Sequence, residues 1–82
     1  MIVVLRAYGL KIIIFVDDHE PAHVHVRGDG QAKIKLAGTD GLPELVWSVG
    51  MNAPEKRRAM QAIREAQSEL LEHWRQIHGP KS

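Results

Sequence analysis

The sequence predicts an α+β fold, about a five-stranded antiparallel β-meander with one long C-terminal helix packed on one face. Three observations predict it. From Ile2 to Val49 the chain runs as short β-branched segments between turn residues, and from Ala53 to His78 the apolar residues recur at steps of three and four. The links between the β-branched segments are also too short for parallel crossovers, which need a dozen residues or more. The 82 residues contain no internal repeat and no long Pro/Gly/Ser linker, so 1–82 is read as a single domain, with the meander in 1–50 and the helix in 52–79.

Taken in order, the strands are expected from Ile2 to Arg6, Leu10 to Val16, His23 to Arg27, Gln31 to Leu36 and Glu44 to Val49. Gly9, Gly28, Gly30, Gly38, Gly41 and Pro43 separate them. A three-residue loop Gly28-Asp29-Gly30 pairs Val26 with Ala32 and Val24 with Ile34, whereas a two-residue loop sets Val26 against Lys33. The longer loop is therefore expected, with Gly30 free to take a positive φ. Val24, Val26, Ala32, Ile34 and Leu36 then share a core face, and His23, His25, Arg27, Gln31, Lys33 and Lys35 share an open one. The second strand, Ile12-Ile13-Ile14-Phe15-Val16, is apolar on both faces, and one of these needs cover that a single helix cannot supply.

The helix has a start in Asn52 as cap, Pro54 in the first turn and Glu55 completing a capping box. It has a stop in Gly79-Pro80. Met60, Ile63, Ala66, Leu70, Trp74 and Ile77 form the stripe that faces the sheet. A straight helix of this extent spans about 39 Å, against about 20 Å for a strand of this size. The overhang and the doubly apolar strand together predict a protein partner or a self-dimer.

Composition narrows the class. Without cysteine there is no disulfide and no thiolate zinc site, which suits a reducing cytoplasm and leaves His, Asp and Glu as the only metal ligands. The apolar runs Ile2 to Leu5 and Ile12 to Val16 fall far short of the roughly 18 residues of a membrane span. Arg6 and Lys11 interrupt any signal-like core, so a cytoplasmic protein with no membrane association is expected. A formal net charge of +1 does not by itself point to nucleic acid.

The chemically loaded feature is the histidine cluster His19-Glu20-Pro21-Ala22-His23-Val24-His25, preceded by Asp17 and Asp18. On a strand, His23 and His25 project from one face about 6.7 Å apart at Cα, and both imidazoles can reach one ion. With His19 they make a three-nitrogen site for a divalent transition metal, to which Glu20 or Asp18 adds a carboxylate. Arg27, Lys33 and Lys35 oppose a cation there and favour an anion. Lys56, Arg57 and Arg58 stand against the dipole at the helix start and with Lys33 and Lys35 form a candidate anion or RNA surface. In that setting His23 and His25 can act as acid and base on an RNA 2′-hydroxyl and Arg27 can stabilise the phosphorane, a metal-independent ribonuclease that needs no cofactor. Against both readings stands a simpler one in which the strand histidines are half-exposed surface residues.

No Gly-rich phosphate loop, nucleophile elbow or Cys-x-x-Cys pair exists, which excludes the kinase, common hydrolase and zinc-finger classes. Trp74 belongs to the helix stripe, and Trp47, Tyr8 and Phe15 form no RNP-type stacking motif. Whether the protein is an enzyme is open at this point.

The stretch His19 to Val26, the Gly28-Asp29-Gly30 turn, the Asn52-Ala53-Pro54-Glu55 helix start and the closing Glu69-Leu70-Leu71-Glu72-His73-Trp74 segment resemble the bacterial family catalogued as domain of unknown function 4160. The resemblance covers nearly the whole chain and departs at Ala22, where the family commonly carries a second proline. It implies a small cytoplasmic prokaryotic protein, often encoded beside another small protein in a toxin and antitoxin-like pair, and implies no established reaction. The leading expectation is a component of such a two-protein module that binds a protein partner and contacts RNA through its basic face. The ribonuclease and His-ligated metal readings are the alternatives.

Overall fold

The β-branched segments fold as β1 (Ile2–Ala7), β2 (Leu10–Ile14), β3 (His23–Arg27), β4 (Gln31–Lys35) and β5 (Glu44–Val49), in a computed structural model that describes residues 1–79. They form one sheet in sequence order with every neighbouring pair antiparallel, as short links require. Val26 pairs with Ala32 and Val24 with Ile34, the register that keeps apolar residues on one face.

Gly30 does not use the positive φ expected of it. It is required for space instead: a Cβ there would run into the Val49 carbonyl and the Gly50 backbone. The end of β5 lies against the β3–β4 turn, a contact between distant segments that turn statistics do not register.

The helical region is two helices, α1 (Ala53–Glu65) and α2 (Gln67–His78), not one long helix. Ala66 at φ −113° and ψ 19° leaves the helical basin, and its N–H is shared between the Ala62 and Ile63 carbonyls. Gln67, the next residue, donates from Nε2 to the carbonyls of Leu36 (2.7 Å) and Gly41 (2.8 Å), which anchors the break to the β4–β5 connection. The apolar stripe runs through Ala66 without interruption, so periodicity could not reveal a bend made by tertiary hydrogen bonds. Gly79 at φ 76° closes α2 through its N–H to Arg75 O, and Pro80 lies outside the described residues.

The core lies between the helices and the inner sheet face. Ile12, Ile14, Val24, Val26, Ile34 and Leu36 pack with Ala59, Ala62, Ile63, Leu70 and Trp74, and full burial of each large aliphatic side chain contributes about 1.5–3 kcal/mol before entropy is counted. The apolar outer residue of β2, Ile13, is also wholly buried. Its sheet neighbours Val3 and His25 flank it, and the irregularity in β1 between Val3 and Leu5 adds local twist. The sheet itself therefore covers the outer position of β2, whereas Val16, expected at the strand's end, lies beyond it and is exposed. Further exposed apolar surface lies on the edge strand β5, at Leu45, Val46, Trp47 and Val49.

Asn52 caps α1 as expected, its Oδ1 accepting from Glu55 N at 2.9 Å. The carboxylate of Glu55 does not turn back to complete a capping box. It is buried and accepts the amides of Asp29 (2.8 Å) and Gly30 (3.2 Å), joining the helix start to the β3–β4 turn. Among the described residues no helix is long and apolar enough to cross a membrane.

Candidate functional site

Strand alternation places His23 and His25 on the outer sheet face, opposite Lys35 and Lys33 on β4. After β2 the chain turns tightly: Asp18 N donates to Phe15 O at 3.1 Å, while Asp18 Oδ2 accepts Phe15 N at 3.2 Å. This turn folds the Asp18 carboxylate back towards β3. Its Oδ2 lies 3.3 Å from His23 Nε2 and 3.8 Å from His25 Nε2. The three donor atoms of Asp18, His23 and His25 all lie within 4.8 Å of one another.

The His23 ring is fixed by its other nitrogen. Nδ1 is 2.9 Å from Pro21 O, and a carbonyl only accepts, so Nδ1 carries the hydrogen. In the neutral ring Nε2 then directs a lone pair at a carboxylate oxygen, which is repulsive until a proton or a cation comes between them. A metal-binding imidazole is oriented in the same way, with one N–H on a carbonyl and the other nitrogen free.

The His25 pKa is lowered from the ordinary imidazole value. Loss of hydration lowers it most; the Asp18 charge opposes this, and His23, Lys33 and Arg27 add to the lowering. The surroundings explain the desolvation: Phe15 meets the His25 ring edge-on at 4.9 Å between centroids, His23 at 5.3 Å, and Trp47 lies 6.2 Å away. Two imidazoles and one carboxylate form a mixed N/O donor set suited to borderline divalent cations.

His23 does not sit on an open face. It is only 5% exposed, and Trp74 from α2 lies 5.3 Å away, ring to ring. The Trp74 Nε1–H donates to Glu20 Oε2 at 2.9 Å, which ties Glu20 to the helix, and Glu20 is not among the three convergent donors. This bond ties the loop before β3 to α2. His19 is exposed and does not join the convergent donors. Asp18 stands where His19 was expected. The sequence signal for it was present in the acidic pair ahead of the histidines, but the choice of Asp18 depends on its turn with Phe15.

The remaining candidates separate in space. Lys33 and Lys35 line a cleft of about 360 Å³ together with Asp18, His23 and His25, and Asp17, His19 and Glu20 also border it. Arg27 ends β3 beyond this cleft and lines a different one, of about 550 Å³, with Lys11 and Arg58. Arg57 is exposed on α1 and Lys56 is partly covered, and neither lines the histidine cleft. An acid and a base acting on a phosphodiester must flank its phosphorus, whereas both imidazoles here point at one carboxylate oxygen, with Arg27 elsewhere.

A family model described as a domain of unknown function (DUF4160) matches residues 9–75, which takes in β2, the acidic turn, both strand histidines and most of α2. No curated protein and no solved structure matches the chain.

Proposed function

The chain belongs to the family described as domain of unknown function (DUF4160), and from that premise we propose that it is a metal-binding protein holding a divalent transition cation between Asp18, His23 and His25. The observation that carries this reading is the His23 ring, hydrogen-bonded through Nδ1 to Pro21 O and facing Asp18 Oδ2 through Nε2 at 3.3 Å. A cation at that point removes the lone-pair repulsion and is reached by His25 as well. Lys33 and Lys35 line the same cleft and count against a cation there, but Asp17 and Glu20 line it too and offset them. Zinc, nickel and iron fit a ligand set of two imidazoles and one carboxylate, which leaves positions for water or a further ligand.

The test is elemental analysis of protein purified without a His tag, followed by thermal unfolding with added Zn²⁺, Ni²⁺ or Co²⁺. Metal at a hundred times its Kd stabilises by about 2.7 kcal/mol, which raises Tm by roughly 10–20 °C in a domain of this size. Asp18→Asn and His25→Ala should each abolish the rise. Metal-free protein with an unchanged Tm at millimolar metal would overturn the reading.

A second reading concerns partners and is favoured by the exposed apolar edge of β5. An edge strand offers unpaired backbone groups to an incoming strand. On this reading the protein is the cytoplasmic component of a toxin and antitoxin-like pair, and β5 takes an extended segment of the neighbouring gene's product. Co-expression should yield a complex that Trp47→Lys disrupts. Failure to co-purify at micromolar concentration would remove the partner, and RNA contact would then rest on the basic side chains alone.

A further inference from the structure

Lys33 stands directly across from His25 in the sheet and Lys35 directly across from His23. Both line the cleft onto which the Asp18, His23 and His25 donors open. Two cations facing a cation site are difficult to explain if the metal is the only ligand. Lys33 has no ion-pair partner among the described residues, and Lys35 has only a loose contact with an exposed carboxylate. The charges resolve the difficulty. One carboxylate and two neutral imidazoles leave a divalent ion with a net charge of about +1, and the two ammonium groups offset the Asp17 and Glu20 carboxylates that also line the cleft, so the occupied site stays positive. Three protein donors also leave coordination positions to fill.

We infer that this cleft takes a phosphate-type oxyanion once the Asp18–His23–His25 centre holds its cation, one anion oxygen on the metal and the others on Lys33 and Lys35. The inference rests on the metal reading above and adds the ligand class to it. Without metal the Asp18 carboxylate sits at the middle of the site and repels an anion, so anion binding is conditional. The basic neighbours that count against a lone cation become the second half of a paired site. The cleft, at about 360 Å³, is larger than an inorganic phosphate requires, and lies within the roughly 300–1,000 Å³ range of small-ligand sites. A phosphorylated small molecule therefore fits as well as the free ion.

The experiment is calorimetric titration of the full chain with inorganic phosphate and, separately, with a nucleoside 5′-monophosphate, each with and without saturating Co²⁺. The visible Co²⁺ absorption reports changes in the metal's ligands. Phosphate should bind the Co²⁺ form at least about tenfold more tightly than the metal-free form, and alter the Co²⁺ spectrum. By reciprocity, phosphate should tighten Co²⁺ binding by the same factor. Lys33→Gln should weaken phosphate about tenfold while Co²⁺ binds as tightly as before or more tightly, because a like charge has been removed, and that Co²⁺ binding doubles as the check on folding. Tighter binding of the nucleotide than of phosphate assigns the cleft to a phosphorylated molecule, and equal binding assigns it to the free anion. If Co²⁺ binds but phosphate affinity ignores it or ignores Lys33→Gln, the inference is overturned and the metal reading stands. If Co²⁺ does not bind, both fall.

Discussion

Replacing Glu55 by alanine tests how the site-bearing hairpin is held against the helix. The Glu55 carboxylate accepts two backbone amides of the β3–β4 turn, from Asp29 at 2.8 Å and Gly30 at 3.2 Å, while it lies 4% exposed at the first turn of α1. Hydrogen bonds to a charged acceptor contribute about 1.5–3 kcal/mol each. Asp29 is exposed, so water reaches one freed amide and the lower end applies to both. Loss of a negative side chain at a helix N-terminus adds about 0.3–1 kcal/mol. Glu55→Ala should therefore cost about 3–4 kcal/mol, which lowers Tm by roughly 12–30 °C for a domain this small. Glu55→Gln keeps one acceptor oxygen and should fall about halfway. Circular dichroism at 222 nm during heating reads both. Gly28→Ala supplies a cross-check, because its Cβ would lie 2.5 Å from Glu55 Oε2 and 2.5 Å from Leu10 Cδ2. Combined with Glu55→Ala it should be less damaging than alone, with a coupling of about 1 kcal/mol. A Glu55→Ala loss below about 1 kcal/mol, or strict additivity with Gly28→Ala, would refute the tie between helix and turn.

Gly30→Ala should cost about 3 kcal/mol or more, beyond the Gly28 variant, because its Cβ meets Val49 and Gly50 backbone that cannot rotate away; urea unfolding measures it. Trp74→Phe keeps the ring near His23 but loses the 2.9 Å bond to Glu20, and should cost about 1–3 kcal/mol by the same assay. The metal-free protein should also lose stability as pH falls just below the ordinary histidine pKa of about 6.5. His25 has a lowered pKa in the fold, so the unfolded chain takes the proton first; the loss stops once pH passes below the folded value. His25→Gln should flatten that segment of a stability–pH curve, and an unchanged slope would assign the effect to other groups.

Much of the site was legible before folding is considered. The pairing of Val24 with Ile34 and Val26 with Ala32 followed from matching apolar faces, and it set His23 and His25 opposite Lys35 and Lys33. Asn52 as cap and Gly79 as stop were equally local, because each acts on backbone groups within a few residues of itself. The choice between His19 and Asp18 also rests on a bond three residues long, but no pattern in the sequence selects it. Both precede Pro21 and both bind cations, and only the turn that returns Asp18 Oδ2 to Phe15 N decides which side chain reaches the strand.

The amino-acid order by itself determined the meander, the register of β3 on β4 and the face that carries the histidines, since these depend on a two-residue period and on short links. The tertiary structure alone decided the rest. Gln67 breaks the helix by bonding carbonyls far away in the chain, Glu55 leaves its own helix end for the β3–β4 turn, and Trp74 covers His23 while bonding Glu20. Each of these is a contact between segments at least 25 residues apart. Such contacts form only after the sheet and helices have docked, so the polar groups they satisfy cannot be assigned from local pattern.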